Sequence, residues 1–246
     1  MRILRLTNSN DLLSTLPPEA LSSAIADRVV AEITGVTPET IVRAVWPGPE
    51  LPGIIQRWLL RYEPELVFLR AASYWVTYES VPLRVQRQLG AMGSWPSRAG
   101  FAVGGNPRFA SNEAFKAFRR LALRTVGGTT YFTPDEATKH VEAVLRQVLT
   151  QESVLAVVRG PGHTHNAAGD ATGLRVARKR NDEFDARLSG LCQSLHVPYC
   201  SARLVVDDPA LLQTDSLHDN VEGQRIFGEL EGRAIAAAWQ AATTGS

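Results

Sequence analysis

The chain has 246 residues, 44% of them hydrophobic, enough to fill the core of one α/β domain, so residues 1–246 are expected to form a single domain. Its 26 Lys and Arg residues nearly balance 25 Asp and Glu, which leaves no electrostatic footprint for nucleic acid or an anionic membrane. Cys192 and Cys200 form neither a CxxC pair nor a disulfide framework, residues 1–11 carry no signal-peptide core, and no run reaches the roughly 18 apolar residues of a membrane span, so a cytoplasmic location is expected.

Residues 2–6 (Arg-Ile-Leu-Arg-Leu) read as a first strand, stopped by the polar run Thr7-Asn8-Ser9-Asn10-Asp11. A helix follows Pro17 and Pro18, with apolar residues at helical spacing from Ala20 to Ile33 and Gly35 placed to end it. The second strand, Ile41 to Trp46, is closed by Pro47-Gly48-Pro49, and Leu51 to Tyr62 is amphipathic. Leu66-Val67-Phe68-Leu69 begins a third strand, and Val154 to Val158 makes a fourth ending at Gly160-Pro161-Gly162; both are continuously apolar, as strands covered on two faces are. Leu174 to Leu195 and Val221 to Trp239 are helical, and Val197-Pro198-Tyr199 opens a weaker fifth strand.

This alternation predicts a three-layer α/β/α sandwich around a mainly parallel five-stranded sheet with right-handed crossovers. Residues 76–150 break the rhythm. Within them 90–106 are loop-like, Asn112 to Leu123 is helical, and Thr133-Pro134-Asp135-Glu136 carries an N-cap, a first-turn proline and a capping-box glutamate. The segment is expected as a helical insertion over the C-terminal edge of the sheet, where α/β proteins bind ligands.

Asp215-Ser216-Leu217-His218 precedes the last helix, so one short loop offers an aspartate able to orient an imidazole whose other nitrogen faces a nucleophile. Here the sequence resembles the SGNH (GDSL-like) lipase/esterase superfamily, whose last block is Asp-x-x-His. The resemblance implies a flavodoxin-like SGNH hydrolase fold and a serine after the first strand, where Ser9 stands, though without the Gly-Asp that precedes it in the family. It also implies an oxyanion-hole glycine after the second strand, where Gly48 stands. The third family block, Gly-x-Asn-Asp, is not met: the chain reads Arg70-Ala71-Ala72-Ser73-Tyr74-Trp75, and Ser73 or Tyr74 is a possible hydroxyl donor in its place.

The implied activity is cleavage of a small-molecule ester by a Ser9-His218-Asp215 triad through an acyl-enzyme, with no metal or cofactor. The alternatives are an acyltransferase using the same triad and an SGNH-fold binding protein with impaired catalysis. Trp46 and Trp75 are candidates for the substrate pocket, with Tyr78 less favoured, and aromatic residues serve equally often as core. Taken alone, Ser9 suits a turn or cap, Asp215 a helix cap and Gly48 a turn. His163 and His165, one residue apart without a clear third ligand, read as part of a solvated loop rather than a metal site. Arg175, Arg178, Lys179 and Arg180, beside Asp182, Glu183 and Asp185, read as a solvated helix face. Oligomeric state is left open.

Overall fold

The computed structural model describes residues 1–12, 15–89, 112–204, 208–213 and 217–244. Five parallel strands, β1 (Arg2–Thr7), β2 (Glu39–Ala44), β3 (Leu66–Arg70), β4 (Leu155–Arg159) and β5 (Tyr199–Cys200), form one sheet in the order β2-β1-β3-β4-β5. This is the flavodoxin-like order, and its switch point lies where the chain leaves β1 for β2 on one side and returns to β3 on the other. The β1–β2 register runs from Arg2 opposite Glu39 to Thr7 opposite Ala44, so the loops after both strands emerge together.

Period-two alternation divides the core. Leu4, Leu6, Val67, Leu69, Ala156 and Val158 face one layer, formed by α2 (Leu51–Tyr62), α6 (Pro134–Val148) and α7 (Ala171–Ser194). Ile3, Leu66, Phe68 and Val157 face the other, formed by α1 (Ser22–Thr34) and α8 (Val221–Thr244). Between the layer helices lie α3 (Tyr74–Thr77), α4 (Val81–Leu89) and α5 (Glu113–Thr125). The sequence pattern did not predict α3 and α4, because a single turn and a nine-residue helix give periodicity little to act on.

Helix α1 ends at Gly35 in the left-handed conformation (φ 72°), as expected, but starts after a short 3₁₀ turn at Pro18–Ala20 rather than at the prolines. The capping box of α6 forms: Thr133 Oγ1 accepts from Glu136 N at 3.2 Å, and Glu136 Oε2 accepts from Thr133 N at 2.8 Å. Helix α6 was expected over the sheet edge; instead Val141, Val144, Leu145 and Val148 bury it in the layer beside α2 and α7. The expected loop at 90–106 lies outside the described residues. No helix among the described residues is long and apolar enough to cross a membrane.

Candidate active site

The polar run after β1 folds into a 3₁₀ turn, Ser9–Asp11, whose cap is Asn8: its side chain accepts from Asn10 N at 3.0 Å. Capping is thus done by the neighbour, and half-buried Ser9 instead places Oγ 2.9 Å from Nε2 of His218. The two residues are 209 apart in sequence.

The histidine loop is fixed from both sides. Asp219 N donates to Asn10 Oδ1 at 2.9 Å, tying it to the serine turn. Gln213 N donates to the carbonyl of His218 at 2.7 Å, and Gln213 Nε2 to that of Asp219 at 3.0 Å. Asn220 caps α8, accepting from Gly223 N at 3.0 Å, and Gln224 Nε2 reaches back to the carbonyl of Asn10 at 3.2 Å. Asp215, the expected third member of the triad, lies outside the described residues.

Beneath these loops lies a buried set of charges that the sequence reading missed. Arg70 and Arg159 are register partners at the C-terminal ends of β3 and β4, and Arg5 of β1, level with Phe68 two residues earlier, shares their face, so all three point to the α1/α8 side. Glu231 of α8, fully buried, receives Arg5, receives Arg70 at 3.1 Å and lies 3.4 Å from Arg159. Asp11, two residues from Ser9, receives Arg5 at 3.2 Å, and its other oxygen accepts from Ser22 Oγ at 3.0 Å. Burial alone would raise the Asp11 and Glu231 carboxyls, but the adjacent guanidinium groups outweigh it and hold both below the usual carboxylate range. Burial and Arg70 pull Arg159 down to about 10, and burial leaves Asp219 raised despite Arg70, His163 and Arg159.

The remaining expected residues separate into rim and core. Gly48 follows β2 in a half-buried turn with its carbonyl accepting from Leu51 N at 3.2 Å, and a Cβ built on it would meet nothing within 4 Å. Among the described residues its N–H has no acceptor. Trp46, half exposed, stands edge-on to Tyr131 at 4.9 Å and to Tyr74 at 6.3 Å, forming an aromatic rim beside Gly48. Trp75 corrects the expectation: it is 2% exposed and packs into the core against Phe184, because the single turn of α3 rotates it away from the surface.

Tyr74 stacks on Tyr78 at 4.5 Å, and its hydroxyl is hydrogen-bonded to that of Tyr131. Ser73 is buried after β3, and its hydroxyl makes no hydrogen bond among the described residues. His163 lies 3.7 Å from Asp219 Oδ1, and His165 N donates to Thr77 Oγ1 at 3.3 Å. Both histidines are buried rather than solvated as expected. They line a cavity of about 230 Å³ together with Tyr78, Arg119, Arg178 and Leu217. Arg175, Arg178 and Lys179 are exposed, as expected of a solvated face, Arg178 also lining this cavity, while Arg180 is half-buried and pairs with Glu79 at 2.9 Å.

Neither family models nor curated proteins match this sequence. Solved structures do match it. A carbohydrate acetylesterase, Est24, from Sinorhizobium meliloti superposes with a TM-score of 0.59 at 12% identity, over 96% of this chain and 98% of that one. An aryl esterase from M. smegmatis gives 0.56 at 13%, over 96% and 99%. A lipase/acylhydrolase from Enterococcus faecalis gives 0.56 at 15%, over 96% of each chain. The alignments span almost the whole of every chain while identity stays this low, so what is shared is the architecture: the chain has the α/β fold of the GDSL-like (SGNH) esterases and lipases.

Proposed function

We propose that the chain is a serine hydrolase of small-molecule esters, acting through Ser9, His218 and Asp215. The observation that carries this reading is the 2.9 Å contact between Ser9 Oγ and His218 Nε2 at the sheet's switch point. His218 Nε2 accepts the Ser9 proton as Oγ attacks the ester carbonyl. The tetrahedral oxyanion is held by the N–H of Gly48, which has open space before it, and by backbone at Ser9. His218 then returns the proton to the departing alkoxide, leaving an acyl-enzyme. Water attacks in turn with the same histidine as base and releases the acid. Asp215, in the role the family resemblance assigns it, fixes the imidazole tautomer and stabilises its charged form.

Ser73 is the better candidate for the donor that the missing asparagine would supply, since the Tyr74 hydroxyl is engaged by Tyr131. The aromatic rim of Trp46, Tyr74 and Tyr131 beside Gly48 suits the acyl portion. The mechanism calls on no metal or organic cofactor. Turnover of 4-nitrophenyl acetate tests the reading. Ser9→Ala should lower kcat by roughly 10³-fold or more with circular dichroism unchanged. A folded Ser9→Ala protein that keeps wild-type turnover would overturn it.

A further inference from the structure

Resting on that reading, the cavity beside His218 defines what the ester carries. Leu217, adjacent to the histidine, forms part of its wall, and its volume of about 230 Å³ exceeds the roughly 150 Å³ that admits a benzene ring. The histidine hands its proton to the departing alkoxide, so the alcohol fragment leaves on the histidine side. The cavity is thus placed for the alcohol.

Its wall holds a cation, Arg119, that no carboxylate meets among the described residues. Arg119 of α5 is half-buried, donates from Nη1 to the Tyr78 hydroxyl at 2.7 Å and lies 5.4 Å from the centre of that ring. Its Nε is buried without a hydrogen-bond partner, and it has no carboxylate partner among the described residues. Nearby arginines are paired: Arg124 with Asp170 at 3.5 Å, Arg180 with Glu79 at 2.9 Å and Arg203 with Asp182 at 3.0 Å. Arg178 faces the same space from α7. Asp208, the one lining carboxylate among the described residues, is turned to its own backbone, accepting from Ala210 N at 2.8 Å. A guanidinium drawn partly out of water without a counterion is costly unless a ligand supplies the charge.

We infer that the cavity binds an oxyanion substituent, a carboxylate or its analogue, on the alcohol portion of the ester, with Arg119 as its counterion. The probes are 4-acetoxybenzoate and its neutral methyl ester, and the readout is the ratio of their kcat/KM values, compared between proteins so that intrinsic reactivity cancels. In Arg119→Gln the charged-over-neutral ratio should fall roughly ten-fold or more, and Arg119→Lys should keep part of it. The wild-type ratio should also fall as ionic strength rises, which requires no variant to fold. Calorimetric binding of 4-hydroxybenzoate to Ser9→Ala should weaken roughly ten-fold when Arg119→Gln is added.

An unchanged ratio in Arg119→Gln, with Ser9-dependent hydrolysis of the neutral ester intact, overturns the anion assignment and leaves the esterase reading standing. Absence of any Ser9-dependent hydrolysis, with Arg119-dependent binding of 4-hydroxybenzoate retained, overturns the esterase reading and supports the anion site. An Arg119-dependent preference for phenyl hydrogen succinate over its methyl ester overturns the alcohol-side placement.

Discussion

Ser9 and His218 are held together by their neighbours. Asn10 accepts from Asp219 N and from Gln224, so the serine turn and the histidine loop share hydrogen bonds that do not run through the Ser9 and His218 side chains. In the mechanism proposed, a nucleophile and base placed this way would need little reorganisation before reaction. The same reasoning distinguishes the candidate oxyanion donors. A hydroxyl already bonded to another residue contributes less to a developing charge than one with no competing partner. Ser73→Ala should therefore lower kcat about ten-fold with little change in KM, and Tyr74→Phe should lower it less, as steady-state kinetics on one activated ester would show; the reverse order would put the tyrosine in the oxyanion hole. Ser9 and His218 were legible because each sits in a short motif next to a strand end or helix start. Arg5, Arg70 and Arg159 were not, because an arginine in an apolar run does not reveal whether its charge is solvated or met by a helix 70 or more residues away.

Among the elements, α1 and α8 approach most closely. A Cβ at Gly232 would stand 2.7 Å from Val29 Cβ and 2.8 Å from the carbonyl of Ala26, and one at Gly228 would stand 2.6 Å from Ile25 Cβ. Glycine is required here by backbone proximity, and the approach delivers Glu231, between these turns, to the three arginines. A Cβ at Gly190, on the exposed side of α7, would meet nothing within 4 Å. Urea denaturation should therefore give opposite signs: Gly232→Ala destabilising by about 1–3 kcal/mol, Gly190→Ala stabilising by about 0.5–1 kcal/mol. A neutral or stabilising Gly232→Ala would show that the helices can move apart freely. The sequence revealed α2 to the residue, Leu51–Tyr62, because its apolar period is regular and prolines precede it. It misplaced α6, since an amphipathic helix reads alike whether it covers a sheet face or a sheet edge.

Over the whole molecule, the buried charges join the strand ends, the serine turn and the last helix into one unit. Asp11 and Glu231 both have folded values below their unfolded ones, so their stabilisation is complete above roughly pH 5 and is lost as pH falls toward those folded values. Asp219 has the opposite sign: its raised value means its contribution is lost as pH rises through it. Glu231→Gln leaves three arginines short of a counter-charge and should cost about 3–5 kcal/mol at pH 7. It should also flatten the decline in stability below about pH 5, because one fewer carboxylate takes up a proton there. Equal stability of variant and wild type across this range would show that the network is neutral to folding.

Covalent labelling tests whether Ser9 is a nucleophile activated by His218 without knowledge of the natural substrate. A fluorophosphonate reacts with an activated serine and leaves a mass adduct that peptide mapping can place. One adduct is expected on the peptide carrying Ser9, absent in Ser9→Ala and strongly slowed in His218→Ala. An adduct on another residue, or none on the folded wild-type protein, would contradict it.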